Sequence, residues 1–373
     1  MKPYTVAVAG ATGYAGGEAL RILAAHPAFD VTCVAGHSSV GHKLGEFMPH
    51  IPQLADLTLV DTTPENLNGH DVIILALPHG ASGALAASLD DNAVVVDLGA
   101  DHRLEEQAAW DDYYGGDFYP HWTYGMPELI VGKKVSANDS SDSSADPYLR
   151  QREALVGTKR IAGPGCNVTA ITMAFQPAIA EGLVEPTSIV ADLVVGYSGA
   201  GKSLKRTNLL AAEALNSAVP YGVGGTHRHI PEVLQNFARA AGLPAGEASQ
   251  FRLNFTPILA PMSRGILASV KAVMSDRALE MSDAEIRDAY AKAYADQYFV
   301  DLLPEGVLPA TENVLGSNAA HVQVVTDRRS GHLQAFAAID NLNRGTAGQA
   351  VESLNIALGL PEDAGLTKIG VAP

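Results

Sequence analysis

The sequence predicts an α/β fold in two parts: an N-terminal doubly wound parallel sheet, then a second α+β domain on a largely antiparallel mixed sheet. Three observations predict it. Short, nearly all-apolar strand segments alternate with helical segments in the first part, the pattern of a parallel sheet covered on both faces. A glycine turn, Gly10-x-x-Gly13-x-x-Gly16, joins the first strand to the first helix. Beyond Gly165 the strands lengthen and read as a mostly antiparallel sheet with helices on one face.

Along the chain, Thr5 to Gly10 reads as a buried strand, and Glu18 to Ala25 has helical apolar spacing that stops near His26-Pro27. Val31 to Gly36 is a second strand. Asp71 to Leu77 and Ala93 to Leu98 are two more, with an alanine-rich helix over 81–89 between them. Residues 136–147 (SANDSSDSSADP) are polar and acidic, and are expected to form an exposed flexible loop. Lys159 to Ala162 supplies a last strand. A helix then runs from Cys166 to about Glu181, with a kink expected near Pro177. Later strands are expected over Ile189–Val195, Arg252–Thr256, Gly265–Val273, His321–Thr326 and Leu333–Asp340. Ser282-Asp-Ala-Glu285 is a capping box opening a helix to about Ala295, and a final helix spans Thr346 to Leu358.

A net charge of −16 over 373 residues argues against nucleic acid or anionic membrane as partner, since both need basic patches. No apolar run approaches the roughly 20 residues that span a bilayer. The N-terminus goes straight into a strand without a leader pattern. Two distant cysteines, Cys33 and Cys166, make neither a disulfide framework nor a zinc site. A reducing, cytoplasmic setting is expected, and no metal. Cys33, mid-strand, reads as core.

The glycine turn follows a strand and opens a helix, the Rossmann arrangement in which backbone N–H groups approach a pyrophosphate at the positive end of the helix. The second strand ends Ala35-Gly36-His37-Ser38-Ser39, without the acid that binds a ribose 2′-hydroxyl in NAD sites. Ser38 and Ser39, with Lys43 nearby, favour a 2′-phosphate, so the expected cofactor is NADP(H). Pro78 and His79 follow a strand whose C-terminal end should face that cofactor.

Gly163-Pro-Gly165 makes a rigid turn that sets Cys166 at the first turn of a helix. Unsatisfied N–H groups and the helix dipole favour a thiolate there. Gly225-Thr-His227-Arg-His229-Ile-Pro-Glu232 supplies candidate acid/base groups; in an extended segment His227 and His229 would point one way and Arg228 the other. Tyr197-Ser198-Gly199-Ala200-Gly201-Lys202 reads as an anion nest at a helix start. It lacks the spacing of a nucleotide triphosphate loop.

GATGYAGGE, LALPHG, GPGCNVTA, SGAGK, THRHIPE, SRGIL and AIDNLNRGTAGQA run in order from residue 10 to 350. In these motifs the chain resembles the N-acetyl-γ-glutamyl-phosphate reductase family of arginine biosynthesis, with wider kinship to aspartate-semialdehyde and glyceraldehyde-phosphate dehydrogenases. The resemblance implies a cytoplasmic homo-oligomer, dimer or tetramer, that reduces an acyl phosphate with NADPH to an aldehyde and phosphate through a cysteine thioester. It implies an NADP-binding domain over 1–165, a catalytic and oligomerisation domain over 166–340, and a C-terminal helix over 341–373 returning to the first domain.

Residue by residue, Cys166 matches the nucleophile, and His227 and His229 match the acid/base region, with His227 favoured. Gly10, Thr12, Gly13, Tyr14, Ala15, Gly16, Ser38, Ser39, Pro78, His79 and Asn341 match the cofactor side. Arg103, Ser198, Gly199, Lys202 and Arg228 match positions near the substrate. Three features depart from the family pattern: Asn167-Val168 replaces an aromatic-Pro pair, His102 stands where Phe is usual, and 136–147 is an insertion. The alternatives are a reductase of a carrier-protein-bound glutamyl or aminoadipyl phosphate, an aspartate-semialdehyde dehydrogenase, and a non-enzymatic NADPH-sensing regulator. Phosphate-dependent NADP reduction with each semialdehyde separates the enzymes, and a regulator would show none.

Overall fold

The computed structural model describes residues 2–134, 146–202 and 211–372. The loop expected over 136–147 lies outside the described residues except for Asp146 and Pro147.

The first sheet is built as expected. β1 (Tyr4–Ala9), β2 (Phe29–Ala35), β3 (Val72–Leu75), β4 (Val94–Asp97) and β5 (Thr123–Tyr124) are followed by a hairpin, β6 (Ile130–Lys133) and β7 (Tyr148–Arg150), and then β8 (Arg160–Ala162). The sheet order is β2-β1-β3-β4-β8-β5, and every pairing is parallel. β3 and β4 are buried at every position, which is why they read as unbroken apolar runs. The first helix, α1 (Tyr14–Leu23), starts earlier than its apolar spacing because the glycine turn itself feeds the helix. The alanine-rich helix is α2 (Ser82–Ala86).

α3 (Cys166–Ala180) opens the second part. Pro177 lacks the N–H that would reach the Met173 carbonyl four residues back. The Tyr294 hydroxyl donates to that carbonyl instead, and the Tyr290 hydroxyl donates to the Ala174 carbonyl, so the helix runs on through the proline. The second sheet comprises β9 (Ile189–Gly196), β10 (Val219–Pro220), β11 (Leu253–Ala260), β12 (Ile266–Val273), β13 (Val300–Leu302), β14 (Ala320–Asp327) and β15 (His332–Ile339). Its order is β10-β11-β9-β12-β15-β14-β13. It is mixed: β9–β11 and β13–β14 pair parallel, and the rest antiparallel. One face packs on α3, and alternate residues such as Leu193, Phe255, Val270 and Ala335 join its core.

α4 (Ile230–Ala240) packs on α3. α5 (Asp283–Tyr294) carries the expected capping box, with Ser282 and Glu285 bonded reciprocally. α6 (Gly348–Ala357) follows a π-helical turn, Asn343–Ala347. It returns to the first sheet: Val351 and Leu354 share a core with Leu20, Leu23 and Val96.

Two buried polar networks join the parts. Arg264, just before β12, donates to Glu18 of α1 and to Asp340 after β15. Arg344, fully buried in the π turn, pairs with Glu128 and Glu352 at 2.5 Å each. Those two carboxylates and Glu362 approach one another closely enough to suggest a metal cage. Arg344 already neutralises the pair, Arg152 pairs with Glu362, and burial pushes the Glu352 carboxyl well above the usual range. No helix among the described residues is long and apolar enough to cross a membrane.

Candidate active site

The dinucleotide turn is shaped by contacts a side chain would destroy. Gly10 has φ +75°, and a Cβ there would lie 2.2 Å from the Ala76 carbonyl oxygen; one on Gly16 would lie 2.2 Å from that of Gly10. β1, the start of α1 and the loop after β3 therefore meet without side chains between them. The N-terminus of α1 has no side-chain cap and no acid in its first turn, so its positive end is open to an anion. Thr12, Tyr14 and Ala15 lie in this same turn and first helical turn.

At the end of β2 the two serines part company. Ser38 is exposed, whereas Ser39 is buried with its Oγ unpartnered, beneath Gly36 and near Thr12. An orphaned hydroxyl at that position fits a ribose or phosphate ligand. Lys43, expected as a phosphate cation, donates instead to the Asp56 carbonyl and Thr58 Oγ1. The loop therefore offers glycines and hydroxyls to a ligand, and Lys43 is tied to Asp56 and Thr58.

A cavity of about 440 Å³ gathers most of the candidate catalytic side chains. His79, Cys166, Asn167, Tyr221, His227, Arg228 and His229 all line it, so residues from the two sheets' loops meet in one space. Cys166 begins α3, and Gly345 of the π turn presses on it: a Cβ on Gly345 would lie 2.8 Å from that of Cys166. The expected thiolate is not what the site supports at rest. Burial pushes the Cys166 thiol up to about 11, outweighing Arg103 and the N–H groups of the helix start. In a half-buried site the lost hydration of the anion is the larger effect.

The histidine segment is a turn into α4 rather than an extended strand. The two rings still lie together, with centroids 4.8 Å apart. The His229 ring sits against Gly165, where a Cβ would lie 2.6 Å from Nε2, so it adjoins the residue before the nucleophile. Its buried Nδ1 has no partner. The His229 main-chain N–H donates to His227 Nδ1, which leaves the His227 proton on Nε2. Burial, then Arg228, lowers His227 to about 4; burial, His227 and Arg103 hold His229 well below the usual imidazole range. Both rings are neutral near pH 7.

Arg103 stands behind the cavity, 5% exposed, donating to the Gly163 and Leu98 carbonyls and facing Glu232 at 3.5 Å. Two of its nitrogens thus support the Gly163–Cys166 turn, and its Nη1 is buried with no hydrogen-bond partner. Lys202 Nζ reaches the Thr12 carbonyl of the dinucleotide turn at 3.4 Å. Among the described lining residues, Arg228 is the one guanidinium or ammonium; it sits 5.5 Å over the Tyr114 ring. His79 packs edge-on against that ring from the other side of the site. It thus reaches the catalytic cavity as well as the loop expected to face the cofactor.

Part of the stretch 197–202, which reads as an anion nest, is already engaged within the fold. The N–H groups of Tyr197, Ser198 and Gly201 already donate to carbonyls of Met262, Ser263 and Ser198. Ser198 and Asn341 bond each other, and Asn341 also accepts the Gly265 N–H. Gly199 lines the cavity beside them. His102 behaves as the aromatic it replaces, stacking on Trp122 at 3.7 Å while its Nδ1 meets the Pro120 carbonyl. Sequence reasoning missed Tyr221 and Gly345, and it quoted Glu232 without its partners: Glu232 Oε1 accepts from the Gly165 N–H and the Tyr124 hydroxyl.

Comparison with known proteins follows this geometry. Residues 5–136 match the model of the semialdehyde dehydrogenase NAD binding domain, and 166–341 that of the semialdehyde dehydrogenase dimerisation domain. The chain is 77% identical over 373 residues to an N-acetyl-gamma-glutamyl-phosphate reductase of Bifidobacterium longum, covering 100% of both chains. It is 50% identical over 368 residues to the Streptomyces avermitilis protein of the same name, covering 99% of each. Its fold is similar to that of aspartate semialdehyde dehydrogenase II of Vibrio cholerae, solved with ASA (TM-score 0.64, 15% identity, 96% of this chain and 99% of that one). The Candida albicans aspartate semialdehyde dehydrogenase, solved with NADP, is similar to the same degree (TM-score 0.64, 15% identity, 96% and 99%). By its full-length identity to these relatives, the chain belongs to the N-acetyl-gamma-glutamyl-phosphate reductase family.

Proposed function

We propose that the chain reduces N-acetyl-L-glutamyl 5-phosphate to N-acetyl-L-glutamate 5-semialdehyde and phosphate, with NADPH as reductant, in arginine biosynthesis. The observation that carries this is one cavity lined by Cys166, both histidines and Arg228, in a chain 77% identical to a reductase of that name.

The site starts as a neutral pair, thiol and imidazole. Cys166 Sγ attacks the acyl carbonyl as its proton passes to His229, whose buried Nδ1 has no partner and whose ring adjoins Gly165. The His227 Nε2–H donates to the oxyanion, the role its tautomer suits. Phosphate departs with the proton from His229, leaving a thioester. NADPH, when bound, supplies hydride to the thioester carbon. His227 again holds the oxygen. The aldehyde leaves as a proton from water, relayed by His229, returns the sulfur to the thiol. Arg228 holds an anionic group of the substrate. Gly10, Gly13, Gly16, Thr12, Ser38 and Ser39 hold the cofactor, Lys202 supports their turn, and Asn341 with Ser198 shapes the wall between the two ligands.

The reading divides the chain into a cofactor domain over 1–165, a catalytic domain over 166–340 and a returning helix over 341–373. The outer face of the second sheet carries Val194, Ile258 and Phe336 on β9, β11 and β15, away from the α3 core. A second copy of the chain covering that face accounts for apolar residues there, so we take the enzyme as a homo-oligomer. Two unpaired cysteines suit a cytoplasmic setting.

The test is intact mass spectrometry after mixing the protein with the acyl phosphate and no NADPH. An added mass equal to the acyl group on Cys166 is expected, absent in Cys166→Ser. An unmodified protein that still turns over would overturn the covalent route.

A further inference from the structure

We infer that the Asn167 side chain is a specificity-determining group that recognises the amide nitrogen on the substrate's α-carbon; this deepens the proposed function and rests on it. Asn167 lines the catalytic cavity immediately after the nucleophile. It is only 2% exposed, and its Oδ1 has no hydrogen-bond partner. Tyr221 lies close enough to Asn167 for the amide to offset part of the burial that pushes the Tyr221 hydroxyl up. Tyr221 lines the same cavity. Asn167 thus presents a buried, unpartnered acceptor to the cavity beside Cys166.

A buried acceptor left unpaired loses its hydration without a replacement bond. A fold that keeps one in a ligand cavity is completed by a donor on the ligand. Cys166 needs no such donor, and the oxyanion at its acyl carbon is itself an acceptor, which cannot pair with Oδ1. The substrate offers one fitting group, the acetamido N–H. The other polar groups of N-acetylglutamyl phosphate, two carboxyl-derived anions and a carbonyl, are acceptors and suit Arg228. A pocket built to bond a substrate N–H rejects an analogue lacking it more strongly than a purely apolar pocket rejects a missing methylene.

The test uses the reverse reaction, phosphate-dependent NADP⁺ reduction, with two aldehydes: N-acetylglutamate 5-semialdehyde and 5-oxopentanoate, which has the same chain without the acetamido group. The wild-type protein should prefer the first by about 100-fold in kcat/KM. Asn167→Leu, close in volume, should lower kcat/KM for the acetamido aldehyde, mainly through KM, by about 10-fold more than for 5-oxopentanoate, so the preference between the two narrows by about that factor. An equal fall on both substrates, or a fall in kcat alone, marks Asn167 as a support for Cys166 and overturns the inference. A wild-type preference near one overturns it whether or not the variant folds. A wild-type protein that turns over neither aldehyde fails the proposed function first, and this inference with it.

Discussion

Glu232 Oε1 accepts the main-chain N–H of Gly165 at 3.0 Å, so the first turn of α4 holds the residue that precedes the nucleophile. The same carboxylate takes the Tyr124 hydroxyl at 2.7 Å and faces buried Arg103. Removing it leaves a guanidinium buried without its counter-charge. Glu232→Ala should therefore cost about 3–5 kcal/mol of stability, and Glu232→Gln less, because the amide oxygen can still accept from Gly165. Urea unfolding of the three proteins measures this; equal midpoints would show that Arg103 is satisfied by the Gly163 and Leu98 carbonyls alone.

The resting thiol gives a pH signature. Cys166 is an acid whose ionisation is pushed up to about 11, so its charged form is scarce at neutral pH and increases with alkalinity. In a Cys33→Ser background, the rate of alkylation by iodoacetamide should rise about tenfold per pH unit from 7 to 10 and flatten near 11. A plateau already below pH 8 would mean that Arg103 and the helix N-terminus dominate burial.

The histidines should separate by step. His229→Asn removes the proton acceptor and should slow thioester formation by roughly 10²–10⁴-fold. His227→Asn removes an oxyanion donor and should slow both thioester formation and hydride transfer, by about 10²–10³-fold. Single-turnover measurements of acylation and of NADPH oxidation distinguish the two. This ordering differs from the preference for His227 that the motif alone suggests; a larger acylation defect in His227→Asn would restore that preference.

Gly16→Ala tests the cofactor turn. Its methyl would meet the Gly10 carbonyl oxygen at 2.2 Å, and backbone cannot yield as a flexible side chain does. The expected result is a loss of about 1–3 kcal/mol in stability and a weakened NADPH affinity, read by thermal melting and by fluorescence titration. Unchanged affinity would remove this turn from the cofactor site.

Much of this was legible beforehand, and the boundary has a physical origin. Local chemistry announces itself: Gly10-x-x-Gly13-x-x-Gly16 demands positive φ or close approach within a few residues, and Gly-Pro-Gly-Cys marks a helix start. What stayed hidden depends on partners far along the chain. Glu232 meets Gly165, and Gly345 meets Cys166, only once both sheets are assembled. Cations were the hardest to place. Lys43 reads as a ligand group, yet it ends on the Asp56 carbonyl and Thr58 Oγ1, because a long charged side chain near a turn finds acceptors that composition does not reveal. The ionisation of Cys166 was misjudged for a related reason: the helix start is visible in sequence, and the depth of its burial is not.

Arg264 grips Glu18 on one side and Asp340 on the other, and Asp340 receives the N–H groups of Leu342 and Asn343 that lead into the π turn against Cys166. A chimera that borrows its nucleotide-holding half from a distant cousin must import an acid at position 18 along with it. Without that carboxylate the graft would strand Arg264 at the seam, and the misfit would be felt at the sulfur.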